Sequence, residues 1–163
     1  MTDTAPQSDT QDIVVEEIFP HAPETIWKVL TTSDLIARWL VMPATEFEPV
    51  KGKRFTFQTT PGGQWDGVIR CEVLEVIPNE RLVHSWKGGH DANVGYGARL
   101  DTVVTWTLTR TDGGTRVCMV HSGFVMPRND SAFKNMSGGW AKVVQRVGVL
   151  SAECGSATKG EKR

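Results

Sequence analysis

Two histidines, His84 and His121, are the residues of this 163-residue chain whose spacing is best suited to chemistry. They fall in predicted strands 81–87 and 115–124, on either side of a third strand, 100–110. Strand alternation places both histidines on one side of the sheet, in one row with Val104 and with Cα atoms about 10 Å apart. That separation is too wide for a shared metal ion, but it suits two polar contacts to one ligand or acid–base work.

His121 is the first candidate for an acid–base catalyst, and Glu75 is the second, provided that it faces the same side of the sheet. The alternation in residues 72–77 does not decide which way Glu75 points. Each histidine also has a structural interpretation, as a buried neutral imidazole bonded to a backbone or hydroxyl group. The sequence therefore does not require catalysis.

Large apolar side chains share the inner side of the predicted sheet with the two histidines. Such a surface either packs as a solid core or encloses a small apolar ligand. A core is the favoured interpretation for any single tryptophan, whereas the whole set favours a cavity. We expect Trp65 at its rim. The candidate ligand-binding residues are His84, Trp86, Val104, Trp106, Met119, His121, Phe124, Trp140 and Val144.

Other kinds of site find no support in the sequence. His90, Asp91 and His121 lack the spacing of a metal site, and no metal is expected. No serine-nucleophile, P-loop or dinucleotide-binding motif occurs in the required context, so no cofactor is expected. The glycine-rich segment 88–99, with His90, Asp91 and Tyr96, could form a lid over a ligand or a solvated loop.

Strands and short helices must position these side chains, because the hydrophobic period changes from two to 3.6 and back along the chain. A strand is predicted at 13–19, and short helices are predicted from Pro23 and from Ser33. Further strands are predicted at 45–48, 54–59, 65–77, 81–87, 100–110 and 115–124. A hairpin turn at 112–114 would pair Val104 with His121, Trp106 with Met119 and Leu108 with Val117.

A C-terminal helix is predicted from about Ser137, because its apolar residues then form one stripe that can cover the sheet. The stripe consists of Trp140, Val143, Val144, Val147 and Leu150. Glycine inside a helix costs about 1 kcal/mol relative to alanine, so we place Gly138 and Gly139 at the start of this helix. Asp130 is expected to cap a short preceding turn.

Composition limits the class of protein. Eighteen Lys and Arg against nineteen Asp and Glu give a formal charge of -1, which disfavours a general nucleic-acid binder. The chain has no apolar run long enough for a membrane helix, and its three widely spaced cysteines favour a reducing, cytoplasmic location. We expect one domain over 13–153, a disordered N-terminal tail at 1–12 and a polar C-terminal tail at 154–163.

An ordered set of short segments resembles the SRPBCC (START-like) helix-grip superfamily, in the branch of activators of the 90-kDa heat-shock-protein ATPase. The segments include APETIWKVLT at 22–31, ARW at 37–39, EVLEVIP at 72–78, ERLVHSW at 80–86, VTWTL at 104–108 and HSGF at 121–124. The resemblance implies an α+β fold. In it a curved antiparallel sheet of six to seven strands grips a long C-terminal helix, two short helices follow the first strand, and a cavity lies between sheet and helix.

Three functions are consistent with this pattern. The first is a stand-alone domain that binds a small hydrophobic or aromatic molecule in the cavity. The resemblance also implies two alternatives: a co-chaperone-like module with a role in stress response, and a cyclase-, aromatase- or hydrolase-like enzyme that uses the same cavity. The expected partners are a small hydrophobic molecule or a chaperone, with no nucleic acid and no membrane, and the chain is expected to be a monomer or homodimer.

Overall fold

One antiparallel sheet and one long helix account for most of the chain. The computed structural model describes residues 10–42 and 44–161. In chain order the elements are β1 (Thr10–Phe19), α1 (Pro23–Thr31), α2 (Ser33–Leu40), β2 (Ala44–Thr45), β3 (Arg54–Gln58), β4 (Val68–Ile77), β5 (Arg81–Gly88), β6 (Leu100–Thr111), β7 (Gly114–Val125) and α3 (Asp130–Glu161).

The seven strands form one curved sheet in the order β1-β7-β6-β5-β4-β3-β2. Every neighbouring pair is antiparallel. The helix α3 packs its apolar stripe on the inner face, and α1 and α2 pack beside it. The predicted α+β helix-grip fold, with two short helices after the first strand, is confirmed.

The hairpin between β6 and β7 sets the register of the inner face. Val104 pairs with His121, Trp106 with Met119 and Leu108 with Val117, as predicted. On the other side of β6, Val104 pairs with His84. The turn contains Gly113 with a φ of 81°, a conformation that glycine adopts without steric cost. The predicted row of His84, Val104 and His121 is therefore confirmed.

The two short helices begin where the sequence predicts. Pro23 occupies the first turn of α1, and Ile26, Val29 and Leu30 form its buried side. The indole N–H of Trp39 in α2 donates to the backbone oxygen of Val29 at 2.9 Å, which ties the helices together.

The predicted start of α3 is wrong. The helix begins at Asp130 and runs without interruption through Gly138 and Gly139, which lie in its interior. Phe133 and Met136, before the glycine pair, pack against the same core as the stripe after it. Packing on both sides of the pair stabilises the continuous helix and outweighs the low helix propensity of glycine.

Regular secondary structure extends into both predicted tails. Strand β1 begins at Thr10, so the prediction of disorder is wrong for residues 10–12, which pair with β7. Residues 1–9 lie outside the described residues. The backbone of α3 continues to Glu161, well into the predicted C-terminal tail. Among the helices of residues 10–42 and 44–161, none combines the length and apolar composition that crossing a membrane requires.

Candidate ligand-binding site

The predicted binding residues form a buried layer between the sheet and α3. All nine are at most 5% exposed. Trp86 and Trp140 lie with ring centroids 5.8 Å apart, and Trp106 lies 6.0 Å from Trp140. The ring of His121 lies 4.6 Å from that of Phe124. These side chains pack on one another, as the core interpretation requires.

Both ring nitrogens of His121 are engaged. The indole N–H of Trp140 donates to Nδ1 at 2.9 Å, so Nδ1 carries no proton. Nε2 is therefore protonated and donates to Thr102 Oγ1 at 2.7 Å. The hydroxyl of Thr102 in turn donates to the backbone oxygen of Trp86 at 2.8 Å. This chain fixes one tautomer of a neutral imidazole.

Burial keeps both histidines neutral. Desolvation lowers the pKa of His121 to about 3, with a smaller contribution from His84. Desolvation also lowers the pKa of His84 to about 4, although the hydrogen bond from Nδ1 to the oxygen of Ser85 opposes the shift. The structural interpretation therefore describes both residues.

Glu75 does not join the histidines. Uninterrupted alternation from Ile69 would turn Glu75 inward, but a β-bulge between Val73 and Glu75 shifts the register. The side chain is 47% exposed on the outer face, where it accepts a hydrogen bond from Arg81 at 2.8 Å. The condition under which the sequence offers Glu75 as an acid–base residue, an inward-facing side chain, is therefore not met.

A cavity of about 150 Å³ lies to one side of this buried layer, between the ends of β4 and β5, their neighbouring loops and the first two turns of α3. Its wall is mostly apolar and contains no charged side chain. The lining residues are Met42, Thr59, Trp65, Ile69, Trp86, Gly88, Gly89, Tyr96, Gly97, Ala98, Leu100, Ala132, Asn135 and Met136.

Trp86 is the one member of the predicted binding set that lines this cavity. The other eight, His84, Val104, Trp106, Met119, His121, Phe124, Trp140 and Val144, lie in the core beside it. Trp65, expected at the rim, lines the wall. The sequence interpretation missed Met136, although it lies four residues before Trp140 on the same helix face, because α3 was expected to begin after it.

Two loops hold one side of the cavity. Asn93, in the loop after β5, donates to the oxygen of Gly62 at 2.8 Å and accepts from the N–H of Gln64 at 2.9 Å. The hydroxyl of Tyr96 donates to the oxygen of Thr60, and its ring lies 5.7 Å from that of Trp65. The segment predicted as a lid or a solvated loop is thus bonded to the loop between β3 and β4.

The other two lid candidates, His90 and Asp91, are not among the residues that line the cavity. His90 Nδ1 accepts from the N–H of Ala92 at 3.0 Å, and Asp91 pairs with Arg99 at 3.5 Å. Across the described ranges, no group of three or more His, Cys, Asp or Glu side chains is placed to hold a metal ion.

Two curated proteins are similar to this chain in sequence. The human activator of 90 kDa heat shock protein ATPase homolog 1 is 27% identical over 126 residues, which is 74% of this chain and 32% of that protein. The mouse protein of the same name is 25% identical over the same shares. The chain thus spans about a third of the length of these curated relatives.

Solved structures cover nearly the whole domain. A crystal structure of a Mesorhizobium loti protein is 35% identical, with a TM-score of 0.74 over 88% of this chain and 98% of that one. A solution structure of a Bacillus halodurans protein is 22% identical, with a TM-score of 0.67 over 86% of this chain and 96% of that one. Residues 20–150 match the sequence profile described as "Activator of Hsp90 ATPase homolog 1-like protein". The chain belongs to this family.

Proposed function

We propose that this domain binds a small apolar molecule in the cavity lined by Trp65, Trp86 and Met136. The observation that carries the proposal is the wall itself, which combines apolar side chains with a few uncharged polar groups. Pockets for small molecules have this composition, because apolar contacts provide affinity and sparse polar groups provide orientation.

The size of the cavity sets the size of the ligand. Its volume of about 150 Å³ matches that of an engineered apolar cavity in another protein, which binds benzene. A molecule of one ring or two fused rings is therefore the expected occupant, rather than a long lipid chain.

Much of the wall is held in place before a ligand arrives. The ring of Trp86 packs against the rings of Phe57 and His121, with centroid distances of 5.5 Å and 5.2 Å. Trp65 is fixed by a bond from its N–H to the oxygen of Val68 at 3.1 Å. Fixed walls favour binding because little conformational freedom is lost when the ligand enters.

Binding is better supported than catalysis. His121 has both nitrogens bonded inside the core and does not line the cavity. Glu75 lies on the opposite face of the sheet. A cyclase-, aromatase- or hydrolase-like reaction would need an acid or base at the ligand, and neither candidate is there.

A cavity-filling variant tests the proposal. Ala132 lines the cavity from α3, so Ala132→Phe places a ring in the space that the ligand needs. Ala141→Phe makes the same change at an exposed position of the same helix. Small neutral aromatic compounds should raise the melting temperature of the wild type and of Ala141→Phe, but not of Ala132→Phe. Equal shifts in all three proteins, or none in any, would contradict the proposal.

A second candidate function is a co-chaperone-like interaction with a 90-kDa chaperone. It is favoured by membership of a family described by activators of that ATPase. The test is the ATPase rate of a bacterial 90-kDa chaperone with and without this protein. A rise that saturates with protein concentration would support the interaction, and an unchanged rate would exclude stimulation.

Two further expectations belong with this proposal. We expect a cytoplasmic location, from the number and spacing of the cysteines, and a monomer or homodimer. Sedimentation equilibrium tests the oligomeric state directly.

A further inference from the structure

Trp86 has an indole N–H without an acceptor. The N–H groups of Trp39, Trp65 and Trp140 each have an acceptor. Trp86 is only 2% exposed, and within the described residues no acceptor lies against its Nε1. A buried donor without a partner is unfavourable, so an acceptor for this N–H would be stabilising. Within the same residues the N–H of Trp106 also lacks an acceptor, but Trp106 does not line the cavity, so of these two donors only that of Trp86 belongs to a residue that a ligand there would touch.

This N–H borders open space. In the described ranges Thr111 Oγ1 is the one completely enclosed side-chain N or O atom without a partner, so Trp86 Nε1 is not completely enclosed. The open space that Trp86 lines is the cavity. A ligand there can supply the missing acceptor.

The rest of the wall indicates an aromatic ligand. The indoles of Trp65 and Trp86 offer ring faces or edges, and aromatic pairs gain energy beyond the area they bury. Met42 and Met136 add two thioether sulfurs, which make favourable contacts with aromatic rings.

The wall also indicates that the ligand is uncharged. None of its side chains carries a charge that could pair with a carboxylate or an ammonium group. A charged group would lose its hydration there without gaining a partner.

We propose that the ligand is a neutral aromatic compound of one ring or two fused rings that carries an acceptor oxygen, and that this oxygen accepts the N–H of Trp86. This inference rests on the proposed binding function and adds the ligand's chemical class.

Four compounds of similar size test separately whether the ligand needs an acceptor oxygen, an aromatic ring and the absence of charge. Acetophenone has the ring and the acceptor, α-methylstyrene replaces its carbonyl oxygen by a methylene group, cyclohexyl methyl ketone lacks the aromatic ring, and benzoate carries a charge. By calorimetry, acetophenone should bind about fivefold more tightly than cyclohexyl methyl ketone. Benzoate should show no measurable binding.

Acetophenone and α-methylstyrene differ in hydration, so their affinity ratio is compared between proteins. Trp86→Phe removes the donor but keeps a ring. The affinity for acetophenone divided by that for α-methylstyrene should therefore be about fivefold lower in this variant than in the wild type. Trp106→Phe is the matched control, because Trp106 is equally buried, also lacks an acceptor and does not line the cavity. Its ratio should equal that of the wild type.

The indole N–H signal of Trp86 provides a measurement on the wild-type protein, should Trp86→Phe fold poorly. In ¹H–¹⁵N spectra it should move downfield with acetophenone and show no such shift with α-methylstyrene. Binding of the neutral compounds with an unchanged ratio and no acetophenone-specific shift would overturn the ligand class but not the proposed function. Failure of all three neutral compounds to bind would overturn both.

Discussion

The indole N–H of Trp140 donates to Nδ1 of His121 at 2.9 Å, and this bond joins α3 to β7 inside the protein. It determines the tautomer of His121 and continues through Thr102 to the backbone of β5. The bond therefore fastens the long helix to the centre of the sheet. It also gives a structural role to His121, the first acid–base candidate from the sequence.

The two single replacements of this bond's partners should together lower the free energy of unfolding by more than the double replacement does. Trp140→Phe leaves Nδ1 without a donor, and His121→Leu leaves the N–H of Trp140 without an acceptor. We expect each change to lower the free energy of unfolding by about 3 kcal/mol. The double variant leaves neither group unpaired, so its loss should be about 1 kcal/mol or more below the sum. Urea unfolding measures the cycle, and additive losses would contradict the bond.

Stability should fall as the pH drops below 6.5. The unfolded chain protonates His84 and His121 near pH 6.5, whereas burial lowers their folded pKa values to about 4 and about 3. The unfolded state therefore binds more protons between these limits, and acid favours unfolding. Each histidine should cost about 2 kcal/mol of unfolding free energy between pH 7 and pH 5.

Two substitutions check this origin of the acid sensitivity. His84→Phe should remove about half of the loss between pH 7 and pH 5 in urea titrations. His90→Ala removes an exposed histidine and should leave the loss as it is in the wild type. An unchanged loss in His84→Phe would mean that other groups cause it.

The glycines of α3 should respond to alanine in opposite directions. A Cβ at Gly138 or Gly139 would meet no atom within 4 Å, so alanine should raise the free energy of unfolding by about 1 kcal/mol at each position. A Cβ at Gly148 would lie 2.4 Å from the ring of Phe19, so Gly148→Ala should lower it by about 1 kcal/mol. Thermal unfolding of the three variants measures these changes. Lower stability of the alanine variants at Gly138 and Gly139 would contradict the open space that the structure shows there.

Val41 holds a strained backbone at the end of α2. Its φ of 60° lies in the left-handed region, which is costly for a β-branched residue, and its side chain is 65% exposed. Val41→Gly should therefore raise the free energy of unfolding by about 1 kcal/mol. Val149→Gly, at an exposed position inside α3, should lower it by about the same amount. Equal signs for the two changes would contradict the assignment of strain.

The inner face of the sheet could be predicted because few interactions decide it. Strand alternation and one glycine-containing turn are enough to align His84, Val104 and His121. The direction of Glu75 could not be predicted, because the bulge between Val73 and Glu75 is a local feature without a residue signature in this strand. One bulge reverses every side chain that follows it.

The position of the cavity could not be predicted from the sequence, for a different reason. It depends on how the loop of Asn93 and Tyr96 packs on the loop of Gly62, and on whether α3 continues past its glycines. Both are decided by tertiary contacts between distant segments. Local periodicity therefore predicts the buried layer but not the space beside it.

Methionine methyl groups offer the most direct test of ligand binding in this cavity. Met42 and Met136 line it, whereas Met119 is completely buried in the neighbouring core and serves as an internal reference. In a titration of ¹³C-methyl-methionine protein with α-methylstyrene, we expect the signals of Met42 and Met136 to move with one dissociation constant while that of Met119 stays. Signals that all remain in place up to the solubility limit, or a shift at Met119 alone, would contradict the account.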